Sequence, residues 1–201
     1  NKFENYAPLS EIMINETIAN IGNIKNRFSN KLFISLNGSK FTNETLLSSV
    51  DGFVITPNLD FVESPYVRED NQTTFKAYLD EEVFTNYTKF GKSIIIGLDF
   101  PSIKGVERGC IPSEETCYDF DIINNIDINS PLSSFEVDLL TQVDLYNAAF
   151  NAINETEWVN GIISQEYNPQ VAIMDASSSV RGKPAIGVFW YWFPRMLGIS
   201  N

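Results

Sequence analysis

The 201-residue chain contains no histidine. A Ser-His-Asp triad, a Cys-His dyad and a histidine-bound zinc centre are therefore excluded within it. Acid–base chemistry falls instead to carboxylates, tyrosine or lysine. Basic residues are scarce, with 14 Lys and Arg against 26 Asp and Glu, a net charge of −12. So acidic a surface repels phosphate and argues against nucleic acid as a partner. No run of Lys or Arg suits an anionic membrane surface, and no apolar run is long enough to span a bilayer. The chain starts without Met or a signal-peptide pattern, and is expected to begin partway through a longer precursor.

Cysteine is nearly absent too. Cys110 and Cys117 bracket a short polar loop, Cys-Ile-Pro-Ser-Glu-Glu-Thr-Cys, and a disulfide between them is expected. Six Asn-x-Ser/Thr sequons begin at Asn15, Asn37, Asn43, Asn71, Asn86 and Asn154. Disulfide and sequons together point to an extracellular or secreted glycoprotein. The acidic, Asn-rich stretch that follows the cysteine loop lacks an EF-hand pattern, and neither a metal nor a cofactor is expected.

What the chain has in quantity is apolar and aromatic side chains. Hydrophobic residues make up 43% and aromatics 13%, including fifteen Phe, eight Tyr and three Trp. That suits a well-packed core with rings to spare for stacking on a ligand. Helical periodicity runs through Ile14, Ile18, Ile21 and Phe28. Strand patterns follow at 32–36 and 50–56, with a short helix around Leu46 and Leu47 between them. An amphipathic helix is expected over 73–90 on Phe75, Leu79, Val83, Tyr87 and Phe90. Ile94, Ile95 and Ile96 then form an apolar run in a strand over 93–99, as expected of a strand covered on both faces. A long irregular segment, 101–131, precedes a helix capped by Ser134 and carrying Leu139, Val143, Tyr146, Ala149 and Ile153. A fourth strand over 158–164 and an aromatic helix over 185–197 close the chain, and the cluster from Trp190 to Phe193 reads as core packing. Helix and strand patterns alternate with no hairpin signal between neighbouring strands. The simplest outcome is an α/β fold of parallel β/α units joined by right-handed crossovers.

Three stretches resemble the C-terminal half of the TIM-barrel glycoside hydrolases. One is the basic helix end running from Phe28 into Lys-Leu-Phe-Ile-Ser-Leu. Another is Gly91-Lys-Ser-Ile-Ile-Ile through Pro101-Ser-Ile-Lys-Gly105. The third combines Trp158-Val-Asn-Gly161 with Ser179-Val-Arg-Gly-Lys-Pro-Ala185 and Trp192. The resemblance implies that residues 1–201 are a single (β/α)4 region holding strands five to eight of a larger (β/α)8 barrel. It implies action on, or binding of, polysaccharide by carboxylates at the carboxyl ends of the strands. Glu4 falls where the acid/base of that superfamily lies. The superfamily's nucleophile is Glu, and alignment on Pro101-Ser102 puts Gly97 or Leu98 at its place. Asp99 is then the acid within reach. Glu166 and Tyr167, at the end of the last strand, take the place of sugar contacts. The alternative is a non-catalytic extracellular glycoprotein that keeps a degenerate barrel for carbohydrate binding or surface assembly.

Four parallel strands do not close a barrel, and each outer strand leaves an edge unpaired. The chain is accordingly expected to need an N-terminal half-barrel or a second copy.

Overall fold

The computed structural model describes residues 11–38, 43–112, 117–120, 135–166 and 175–199. Helix α1 (Glu11–Lys25) leads to strand β1 (Phe33–Asn37), helix α2 (Glu44–Ser49) to β2 (Gly52–Thr56), and helix α3 (Asn71–Tyr78) towards β3 (Ser93–Leu98). A small hairpin of β4 (Ile111–Pro112) and β5 (Cys117–Tyr118) follows. Helix α4 (Leu139–Asn154), strand β6 (Gly161–Ser164) and helix α5 (Ile186–Met196) complete the chain. The main sheet has the order β1-β2-β3-β6, and every pairing in it is parallel. That order is monotonic. Crossovers of one hand between strands laid down in sequence put all the connecting helices on one face, as in a barrel and unlike a doubly wound sheet. The fold is α/β, built of parallel β/α units, as the alternation of patterns implies.

The sheet's two faces differ sharply. Leu36, Phe53, Ile55, Ile94, Ile96 and Leu98 point towards the helices and are buried. The alternate set is Ser35 and Asn37, both exposed, Val54 and Ile95, both half-buried, and Ile163 at 44% exposure. The Ile94–Ile96 run is thus covered on one face by this chain's own helices, not on both. The second face carries the alternate residues of the same short strands, a mix of polar and apolar side chains that this chain's own helices leave uncovered.

Several local details depart from expectation. Phe28 is 65% exposed and lies outside the core, and of the α1 pattern only Ile21 is buried. The helix expected over 73–90 starts at Asn71, because Asp70 and Thr73 form a reciprocal capping box. It then widens into a π-helical stretch, Leu79–Phe84, before an α-turn and a 3₁₀ turn end at Gly91 in the left-handed region (φ 61°). The cap of α4 is Asp138, whose carboxylate accepts from Leu140 N at 2.9 Å and Thr141 N at 3.0 Å. Ser134, the expected cap, lies outside the described residues. Strand β6 begins at Gly161 rather than at 158. Trp158 packs edge-on against Phe84 at 5.6 Å, and Asn160 Oδ1 accepts from Ile94 N at 2.9 Å. In α5 the aromatic cluster is divided: Phe189 and Trp192 are buried, whereas Trp190, Tyr191 and Phe193 are exposed.

At the amino ends of the strands, Asp51 accepts from Lys25 at 2.7 Å and from Leu32 N at 2.8 Å. The Lys25 contact first, then the Leu32 amide, hold its carboxyl below the usual carboxylate range. Asp51 thus staples the end of the sheet opposite the site.

Candidate functional site

The carboxyl ends of the strands bring a set of polar side chains to one rim. Asn37 ends β1 and lies in register with Thr56, which ends β2. Beyond β3 the backbone alternation puts Asp99 on the same inner face as Gly97. Leu98, between them, is fully buried on the helix side. The ladder runs past β6, where Gln165 N donates to Leu98 O at 2.9 Å. These residues enclose a cavity of about 180 Å³ lined by Ser35, Asn37, Thr56, Asn58, Asp99 and Gln165, with Pro57, Gly109, Asp119 and Phe120 on its remaining wall. The last three belong to the segment around the cysteines. Cys110 and Cys117 form the expected disulfide, with Cα atoms 5.6 Å apart, and it ties the β4–β5 hairpin. Gly109 (φ 71°) also lets that segment pass close, since a Cβ there would stand 2.7 Å from Leu59 O.

The register decides which of Gly97 and Leu98 lies on the inner face of the sheet. Gly97 is on the inner face, and Leu98 is not. Across Gly97, the Gln165 side-chain amide donates to Thr56 Oγ1. A Cβ on Gly97 would meet that oxygen at 2.8 Å and the Gln165 nitrogen at 3.2 Å. The space a carboxylate would use there is therefore spanned by a hydrogen bond. Asp99, two residues further along the same face, is the strand's acid at the cavity.

Glu166 is placed differently. Its backbone adopts φ 61°, a strained region for a residue other than glycine. Its carboxylate accepts from Ser178 N at 3.0 Å and does not line the cavity. Behind the rim runs a buried polar network. Lys183, with its side chain 3% exposed, donates to Ser102 Oγ at 2.9 Å and to Ser177 O, and lies 3.6 Å from the Asp175 carboxylate. Ser102 Oγ donates to Asp175 O at 2.7 Å. Burial lowers the Lys183 pKa, while Asp175 and Glu166 oppose the shift. The hydroxyl of Tyr146, fully buried, is held protonated well above its usual range by burial, with Asp99 and Glu166 adding to the effect. Together these contacts lock the segment after β6 onto the segment after β3.

Of the expected site residues, Asp99 and Glu166 are brought to the same end of the sheet, in different surroundings. Glu4 and Tyr167 lie outside the described residues. Sequence reasoning missed Ser35, Thr56, Asn58, Asp119, Phe120 and Gln165 and took Asn37 only as a sequon. Period-2 parity carried through to the end of each strand is the signal that finds Ser35, Thr56 and Gln165. Among the described residues, no group of His, Cys, Asp and Glu is arranged to hold a metal, and no helix is long and apolar enough to cross a membrane.

No protein-family model and no curated protein matches the chain. Solved structures do. A GH113 β-mannanase from Alicyclobacillus acidocaldarius aligns over 96% of this chain with a TM-score of 0.61 and 19% identity. Two structures of GH113 β-1,4-mannanase align over 91% of the chain, each with a TM-score of 0.61, at 16% and 15% identity. In all three the chain spans about half the length of its counterpart, 52%. The fold is thus a partial TIM barrel of the kind seen in glycoside hydrolases. Identity this low speaks to the fold alone.

Proposed function

We propose that this protein is an extracellular, carbohydrate-binding half-barrel whose cleft lies at the carboxyl ends of its strands and is completed by a second (β/α)4 half. The observation that carries the reading is the cavity itself, where hydroxyl, carboxamide and carboxylate groups converge beside the Phe120 ring. Sugars present a dense array of hydroxyls and apolar C–H faces, and such a lining offers partners for both. Asp99 accepts from ligand hydroxyls, and Asn37, Asn58 and Gln165 both donate and accept. The completing half comes from the same protein or a second copy. It covers Val54, Ile95 and Ile163 and the exposed stripe of Ile186, Trp190 and Phe193 on α5 with Leu197 at its C-cap.

Binding is favoured over cleavage by the Thr56–Gln165 bridge across Gly97. Hydrolysis is the second reading, and the two carboxylates at the cavity, Asp99 and Asp119, favour it. Calorimetric titration with β-1,4-mannohexaose, cellohexaose and xylohexaose tests the first. One of them is expected to bind, and Asp99→Asn should weaken it about tenfold. No heat with any of the three overturns the binding reading. Release of new reducing ends, lost in both Asp99→Asn and Asp119→Asn, would establish the second reading in its place.

A further inference from the structure

We infer that Asn37 is an N-glycan acceptor whose glycan lies over the mouth of the cleft and competes with free carbohydrate there. The inference rests on the carbohydrate reading of that cleft.

The six sequons do not sit alike. Asn15 is within α1, and Asn43 caps α2, its Oδ1 accepting from Leu46 N at 2.9 Å. Asn71 is the first residue of α3 and Asn154 the last of α4. Asn86 follows the π-helical stretch and donates to Glu82 O at 2.9 Å. These five belong to the helical layer. Asn37 alone ends a strand of the main sheet. Its neighbour Leu36 is buried towards the helices, so Asn37 faces the other way, where it is exposed and lines the cavity beside Asp99. Gly38 (φ 73°) donates its N–H to Thr56 O at 2.8 Å and holds the strand end in place through the turn.

Modification joins Asn37 Nδ2 to the anomeric carbon of an oligosaccharide carried on a lipid diphosphate. The bond from that carbon to the diphosphate oxygen breaks, the lipid diphosphate leaves with the electron pair, and the amide loses one proton. The first sugar is then tethered at the cavity wall. A tether this short gives the glycan an effective concentration in the millimolar range (~mM) at the site. That is enough to displace a weakly held polysaccharide.

The test compares the chain secreted from an N-glycosylating host with its Ser39→Ala variant, which removes the sequon and leaves the Asn37 side chain unmodified. Glycopeptide mass spectrometry is expected to find a glycan on Asn37 in the first and none in the second. Titrated with β-1,4-mannohexaose, cellohexaose and xylohexaose in turn, the variant should bind the one that the protein takes about tenfold more tightly. Under native conditions, peptide-N-glycosidase should release the Asn37 glycan more slowly than the Asn15 glycan. An unmodified Asn37 overturns the inference, as does equal affinity of the two forms. If neither form binds carbohydrate, the proposed function fails separately. The release rates then decide, with slow release at Asn37 supporting the glycan over the mouth and equal rates refuting it.

Discussion

The face of the sheet under the helices and the face opposite are made from the same four strands yet reach different ends. Phe53, Ile55, Ile94 and Ile96 are at most 1% exposed, in one core with Phe75 of α3 and Tyr146 and Phe150 of α4, and Tyr87 is tilted against Phe53 at 5.3 Å. One residue along each strand, Val54, Ile95 and Ile163 remain partly open. The first face is finished by the chain itself, and the second is left partly open by it. The site grows where the second face ends, because only there do side chains point at space rather than at packed neighbours. A fold that is half a barrel thus separates stability from recognition by strand parity alone.

The largest expected effect breaks the comparison at its buried side. Phe53→Ala removes a fully buried ring and should cost about 3–5 kcal/mol in denaturant unfolding. Ile163→Ala on the open face should cost about 1 kcal/mol or less in the same assay. Equal losses would mean that both faces are packed.

Next comes the polar network behind the rim. Lys183→Met leaves Asp175, with a side chain only 10% exposed, without its cation, and a loss of about 3 kcal/mol is expected at neutral pH. The pH dependence sharpens this. Burial lowers the Lys183 pKa in the folded state, so below the ordinary value of 10.5 the unfolded chain binds more protons over that window. The wild type should therefore gain stability relative to Lys183→Met as pH rises towards that value. Parallel stability–pH curves for the two proteins would show that Lys183 is not buried.

Smaller than either of the losses on the buried side is the effect expected at Gly97, on the opposite face. Gly97→Ala forces a methyl group against the Thr56–Gln165 hydrogen bond and should cost about 1–3 kcal/mol. A neutral outcome would mean that the space above Gly97 is free.

Much of the architecture was legible because helical and strand periods alternate cleanly and no turn chemistry pairs adjacent strands. The Cys110–Cys117 pairing was legible from spacing and loop composition. Which of the two alternating sets faces the rim was not, because the choice of face depends on register and register on pairing partners that are distant in sequence. Hence Gly97 and Leu98 were equivalent in the sequence, whereas pairing separates them onto opposite faces. The openness of the inner face was likewise hidden: Ile94–Ile96 reads the same whether its second cover comes from this chain or from another layer. The exposed Trp190 and Phe193 show the same limit, since helical spacing marks an apolar stripe without saying which molecule covers it.

The central claim is that the inner face is unfinished in this chain alone. Sedimentation equilibrium of the purified chain in the presence of the apolar dye ANS tests it directly. The account predicts either self-association above 22.7 kDa or a monomer that binds the dye at the open face. A monodisperse, cooperatively folded monomer that binds none of the dye would contradict it.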